Sequence, residues 1–168
     1  MQAGVVLRAL CAAAGFLCST AAGSAFAQYD AAQLHGPRLI QEGVRIPAPG
    51  GYTVAATILR PEGPGPFGAV ILNHGVPVSD KERAGASPSD LLTSAAVFAQ
   101  RGYVAVLPLR RGFGATGGEF AEYTGSCSHP DYLSGEQAAA DDVMAAYEYA
   151  RALPYVDPHR MILAGHSA

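Results

Sequence analysis

Cysteine is scarce in this sequence, and its placement makes it scarcer still. The chain has three cysteines, and Cys11 and Cys18 both fall within residues 1–27, which leaves Cys127 alone in the body of the protein. A single thiol cannot build a disulfide framework; it is either free or paired with a cysteine outside these residues. Charge is also sparse, at 15% of residues with a net charge of −3, and the only basic cluster is Arg110-Arg111. That charge balance excludes the basic footprint of a nucleic-acid-binding surface. Apolar residues make up 49% of the chain, a balance expected of one globular domain rather than of a disordered or fibrous chain.

Residues 1–27 differ from the rest. Arg8 is their only charged side chain, an Ala/Leu/Val/Phe run follows it, and Ala25-Phe26-Ala27 has the small-x-small pattern of a signal-peptidase site. The pattern predicts export through a cleavable signal peptide, cut between Ala27 and Gln28, with no stable membrane association afterwards. The apolar stretch from Ala9 is nearly long enough to span a bilayer, but its Ala, Gly and Ser content argues against a retained anchor. Lipidation is also unfavourable, since Cys11 and Cys18 follow Leu10 and Leu17 rather than a small residue.

Beyond a short lead-in over 28–36, which is expected to be mobile, residues 37–168 read as one domain of alternating strands and helices. Arg38 to Ile46 and Tyr52 to Leu59 are β-rich runs around Pro47, Pro49, Gly50 and Gly51, which predicts a hairpin. Ala69 to Leu72, Tyr103 to Leu109 and Met161 to Ala164 are continuous apolar runs, the pattern of strands covered on both faces. A loop is expected from the first of these runs to Ser87. There Ser87-Pro88-Ser89-Asp90 offers an N-cap, a proline in the first helical turn and an acidic third position. Leu91, Leu92, Ala95, Phe98 and Ala99 then recur at helical spacing, and Gly102 is placed to end that helix. A second helix is predicted from Ser134 to Leu153, with Val143, Ala146, Tyr147, Ala150 and Leu153 on one stripe and Pro154 as the stop. Asp157-Pro158 is expected to turn the chain. The sum is an α/β chain: a hairpin followed by a mostly parallel sheet with crossover helices.

Chemistry concentrates at Gly165-His166-Ser167. These residues match the opening of G-x-S-x-G, in which a serine occupies a sharp turn between a strand and a helix and neighbouring side chains must be small. The turn holds the serine Oγ clear of the backbone, within reach of a carbonyl and a base. A bare G-x-S is also an ordinary turn, and context decides. The serine follows a buried run, and Asn73-His74-Gly75-Val76 follows an earlier one.

With these motifs the chain resembles the α/β-hydrolase superfamily, especially its dienelactone-hydrolase-like and prolyl-oligopeptidase-like branch. The resemblance extends from Val44 to Ala168 and includes His74-Gly75, Arg111-Gly112-Phe113-Gly114 and Asp157-Pro158-His159-Arg160. It implies that Ser167 is the nucleophile, that the N–H groups of Val76 and Ala168 form an oxyanion hole, and that no cofactor is needed. The substrate would be a small-molecule ester, a lactone or a peptide. In this superfamily the acid and the histidine follow the serine in the chain, so both are expected beyond Ala168. The 168 residues by themselves are expected to be inactive, since losing the nucleophile or its histidine from such a triad costs about 10⁶ in turnover. A rival expectation is a non-catalytic truncated product, or one half of a split protein, whose third buried strand has an unpaired edge and low solubility.

Other patterns have more ordinary readings. His74 is expected to brace the oxyanion loop rather than act as base, the ring of His166 to point away from Oγ, and His35, His129 and His159 to face solvent. Cys127, His129 and Asp131 alternate but lack a second cluster, so no metal is expected. Gly112, Gly114 and Gly117 satisfy G-x-G-x-x-G after a strand, yet no long helix opens directly on them as a dinucleotide site requires. Arg111 is expected to pair with Asp141 or Asp142, although an anionic ligand is the alternative.

Overall fold

The computed structural model describes residues 36–167. The predicted signal peptide, nearly all of the lead-in and Ala168 lie outside the described residues. Strands β1 (Leu39–Pro47) and β2 (Thr53–Pro61) form the expected antiparallel hairpin. Strands β3 (Phe67–Asn73), β4 (Tyr103–Leu109), two-residue β5 (Gly125–Ser126) and β6 (His129–Pro130), and β7 (Val156–Gly165) follow. The main sheet is five-stranded, in the order β1-β2-β4-β3-β7. β2 runs antiparallel to β4, whereas β3 is parallel to both β4 and β7.

Strand alternation divides the core in two, because successive side chains point to opposite faces. Ala69, Ile71, Val104 and Val106 pack on one face with Ala146 and Ala150 of helix α3 (Tyr132–Arg151). Val70, Leu72, Ala105 and Leu107 pack on the other with Ala95 and Ala99 of helix α2 (Ser89–Gln100). Small alanines at helical spacing let each helix lie close against the sheet. Among the described residues no helix is long and apolar enough to cross a membrane.

The start of α2 follows the sequence expectation: Pro88 already has helical φ and ψ of −61° and −12°, and Ser87 Oγ accepts the Ser89 N–H at 3.2 Å. Gly102 is left-handed at φ 83°, as a helix terminator requires. Three expectations need correction. The segment before Ser87 is not all loop, for a short helix α1 (Asp80–Ala84) lies there, closed by a capping box in which Ser79 and Glu82 satisfy each other's backbone N–H groups. Helix α3 begins before Ser134 because the side chain of Asp131 caps it, accepting the Ser134 N–H at 3.2 Å. Asp157-Pro158 does not precede β7 but lies inside it, where the register against β3 shifts between Phe67 and Ala69. Residues 157–160 are the ones that shift leaves without a β3 partner, and the local turn preference survives there, the His159 N–H donating to Asp157 Oδ1 at 3.0 Å.

Candidate active site

The carboxyl ends of β3, β4 and β7 meet at one edge of the sheet. β7 is held in register with β3 to its last residue, Asn73 opposite Gly165. Beyond it the His166 N–H donates to the Asn73 carbonyl at 3.1 Å, while Asn73 Nδ2 donates to the Ala164 carbonyl at 3.2 Å. The chain then turns sharply. Ser167 has φ 61° and is the only non-glycine residue with positive φ among the described residues. Such a conformation costs on the order of 1–3 kcal/mol and persists only where the surroundings impose it. Here it places an exposed hydroxyl-bearing residue at the carboxyl end of a parallel strand, where ligands gather in open α/β sheets.

Opposite Ser167 runs the loop His74-Gly75-Val76. Gly75 touches the turn so closely that a Cβ there would stand 2.9 Å from Ser167 Cβ and 3.0 Å from the His166 carbonyl oxygen. His74 fixes the loop, as expected from the sequence. Its Nδ1 donates to the Gly75 carbonyl at 2.7 Å, and its Nε2 accepts the Arg110 N–H at 3.2 Å. These two bonds assign a neutral ring, and burial followed by the Arg110 charge holds its pKa below the usual 6.5. With both nitrogens occupied, His74 is not placed to act as a base.

Behind His74 lies an arrangement that the sequence did not reveal. Arg110 and Glu122 are both buried and pair side by side, the guanidinium Nε and Nη2 donating to the two carboxylate oxygens, the second at 3.0 Å. The remaining Arg110 nitrogen, Nη1, donates to the His74 carbonyl at 2.8 Å. The Phe113 ring packs against the His74 ring at a tilt of 54°, with centroids 4.4 Å apart. No periodicity connects Arg110 and Glu122, so no sequence signal could have found the pair.

The next residue, Arg111, pairs with Asp142 as the sequence suggested. Asp142 is 1% exposed and accepts from the Arg111 backbone N–H at 2.7 Å, from Arg111 Nε at 3.1 Å and from the Tyr52 hydroxyl. Burial first, and then the bond to Asp142, pushes the Tyr52 pKa up to about 12. The glycines after Arg111 serve packing. A Cβ on Gly112 would meet Phe120 Cα at 2.5 Å, and one on Gly114 would meet the Ala86 carbonyl oxygen at 2.1 Å. The N–H groups of Gly112, Phe113, Thr116 and Gly117 all bond to carbonyls within the loop or at its start. They are therefore not arrayed around a pyrophosphate, and a stretch through β5 and β6 separates them from α3. At Cys127, His129 and Asp131, Asp131 is engaged as a helix cap, and the described residues hold no group of three or more potential metal ligands.

Ser167 opens onto two clefts. One, of about 600 Å³, reaches past Val76 and Arg110 toward Phe120, Tyr123 and Tyr132. The other passes between Val76 and His166 toward Glu82, Asp90 and Leu91. Val76 and Ser167 line both clefts. Ala168, the second expected oxyanion donor, and His35 lie outside the described residues. His129 and His159 are exposed.

A sheet ordered β1-β2-β4-β3-β7, helices on both faces and a left-handed serine after the last parallel strand define the α/β-hydrolase fold. Comparison with known proteins agrees. Residues 88–168 match the prolyl oligopeptidase family. The chain is similar in structure to the esterase Est22, with 17% identity and a TM-score of 0.51 over 76% of this chain and 35% of that one. It is also similar to a hyperthermophilic esterase from the archaeon Pyrobaculum calidifontis, with 21% identity and a TM-score of 0.53 over 77% of this chain and 36% of that one. The chain therefore spans little more than a third of the length of these esterases. No curated protein matches the sequence.

Proposed function

We propose that this chain carries the nucleophile half of an exported serine hydrolase that cleaves carboxylic esters through an acyl-enzyme on Ser167. The observation that carries the reading is the φ of 61° at Ser167, pressed against the glycine of the facing loop. That geometry is the elbow on which an activated serine sits. In the reaction Ser167 Oγ attacks the ester carbonyl, and the oxyanion that forms is met by the N–H groups of Val76 and Ala168. The alcohol leaves with a proton, and water then releases the acid from Ser167. His74 is committed to the loop, and so the base and its carboxylate are assigned to polypeptide following Ala168. Without them the 168 residues do not turn over.

The ester reading is supported by the two similar structures, both esterases. Peptide hydrolysis is a second reading, favoured by the family match over residues 88–168. Three experiments test the reading. In the coding frame after Ala168, a glycine codon followed further on by an Asp and then a His supplies the missing parts, and a stop codon removes the proposed activity. In the full-length product a fluorophosphonate should label the protein and fail on Ser167→Ala, and labelling that survives the substitution refutes the assignment. Comparing matched p-nitrophenyl ester and p-nitroanilide substrates then separates esterase from peptidase.

A further inference from the structure

The two clefts at Ser167 differ in chemistry, and the one that runs toward Phe120 is ringed by apolar side chains that are exposed among the described residues. Val78, Tyr123 and Tyr132 line it and are 95%, 66% and 63% exposed. Three of the seven large hydrophobic side chains exposed among the described residues therefore border one opening. Uncovered apolar surface at the mouth of a cleft that reaches a nucleophilic residue is a ligand's contact surface. Tyrosines suit such a role because they offer broad contact with few rotatable bonds.

The charges of this cleft are already committed. Arg110 is neutralised by Glu122 and bonded to the His74 carbonyl. Arg83 pairs with Asp80 and donates to the carbonyls of Pro77 at 2.9 Å and Val78 at 3.0 Å. Its guanidinium also lies over the Phe120 ring at 4.2 Å. A carboxylate entering here would have to break one of these pairings and would sit near Glu122 and Glu136. The other cleft offers no relief, being lined by Glu82 and Asp90 and by no arginine or lysine.

We infer that the cleft running toward Phe120 seats a neutral, apolar arm of the substrate, an aryl or branched alkyl group lying on Tyr123 and Tyr132, and that carboxylate-bearing esters and lactones are rejected. This rests on the reading of Ser167 as an esterase nucleophile, but the cleft can be tested apart from it. Benzylacetone presents a phenyl arm and a carbonyl with no leaving group, so its binding needs no turnover. Binding of benzylacetone and of its para-carboxylated twin is measured by ligand-observed NMR on the protein at the full length its gene encodes. The neutral ketone should bind about tenfold tighter or better, because a buried carboxylate without a partner is costly. The double variant Tyr123→Ala/Tyr132→Ala should weaken benzylacetone about fivefold, the loss expected from removing aromatic contact. Tyr123→Phe/Tyr132→Phe, which keeps the aromatic contact, should bind benzylacetone as the parent does, so that loss of contact is told apart from loss of fold. Equal or tighter binding of the carboxylate, no binding of either ketone, or undiminished binding by the double alanine variant each overturns the inference. If fluorophosphonate labelling fails while the preference for benzylacetone holds, the nucleophile reading falls and the apolar cleft stands.

Discussion

Gly75 and Ser167 are in contact across the mouth of the site, and a Cβ at residue 75 would stand 2.9 Å from Ser167 Cβ and 3.3 Å from its Oγ. The nearby His166 carbonyl oxygen, 3.0 Å from that position, belongs to backbone and cannot swing aside. Gly75→Ala must therefore push the loop and the turn apart. A displacement on the order of 1 Å lowers reactivity by about 10²-fold, and the overpacking costs about 1–3 kcal/mol of stability. The rate of fluorophosphonate labelling and a urea titration measure the two effects. A Gly75→Ala protein that reacts at the parental rate would show that loop and serine are not coupled.

His74 makes this contact sensitive to pH. Its folded pKa lies below the ordinary 6.5, through burial and the neighbouring Arg110 charge. The unfolded chain therefore takes up a proton before the folded one as pH falls, and stability drops with it. The contribution is complete above 6.5 and is lost progressively below it, toward the lower folded value. Protonation would also place an N–H on Nε2, which now accepts from the Arg110 backbone. Urea midpoints between about pH 7.5 and pH 5.5 should fall more steeply for the parent than for His74→Gln. Parallel slopes would show that His74 takes up its proton over the same pH range in both states, and would remove its claimed contribution.

The parts of this fold that could be read from the sequence are those written as repeats. Ala69 to Leu72 and Tyr103 to Leu109 are apolar at every position because both sheet faces are covered, by α2 on one side and α3 on the other. Ser167 drew attention through the motif that Gly165 opens, yet a Cβ at residue 165 would meet nothing within 4 Å among the described residues, and the crowding falls on Gly75 instead. The capping box Ser79-Asp80-Lys81-Glu82 was missed, because one turn of helix lacks the apolar period that draws attention. Arg110 with Glu122, and Thr116, whose Oγ1 accepts the Ala55 N–H at 2.8 Å, are different. Their partners are brought together by loops, and loop geometry has no period.

The proposed export would leave a covalent trace. The small-x-small pattern at Ala25-Phe26-Ala27 places the cut before Gln28, so N-terminal analysis of the exported protein should find a chain that begins at Gln28. A product that still begins at Met1 in the membrane fraction would instead establish an anchor.

Asp142 holds the β4 loop to α3. It is 1% exposed and receives the Arg111 backbone, the Arg111 side chain and the Tyr52 hydroxyl. Asp142→Ala leaves those donors without an acceptor and should cost about 3–5 kcal/mol, the range for removing one partner of a buried pair. Arg111→Lys keeps the charge and the backbone bond but loses the guanidinium fork and the bond to the Ala138 carbonyl. It should cost less, about 1–2 kcal/mol. Denaturant titration checks both, and an unchanged midpoint for Arg111→Lys would sink the structural role given to Arg111.

The Arg110–Glu122 pair separates stability from positioning. Its side chains are each 6% exposed, so Glu122→Ala strands a buried guanidinium and should cost about 3–5 kcal/mol. Replacing both partners, as Arg110→Met with Glu122→Leu, removes the two charges together, and a buried ion pair exchanged for packed apolar groups is often neutral or stabilising by about 1–4 kcal/mol. Stability should therefore return in the double variant. Reactivity should not, because the His74 carbonyl has lost the Arg110 Nη1–H that fixed it, and the loop carrying Val76 is then free to shift from Ser167. A double variant with parental stability and slowed fluorophosphonate labelling assigns the pair to holding the loop. Recovery of both would reduce it to a packing element, and recovery of neither would show that its charges are needed for folding itself.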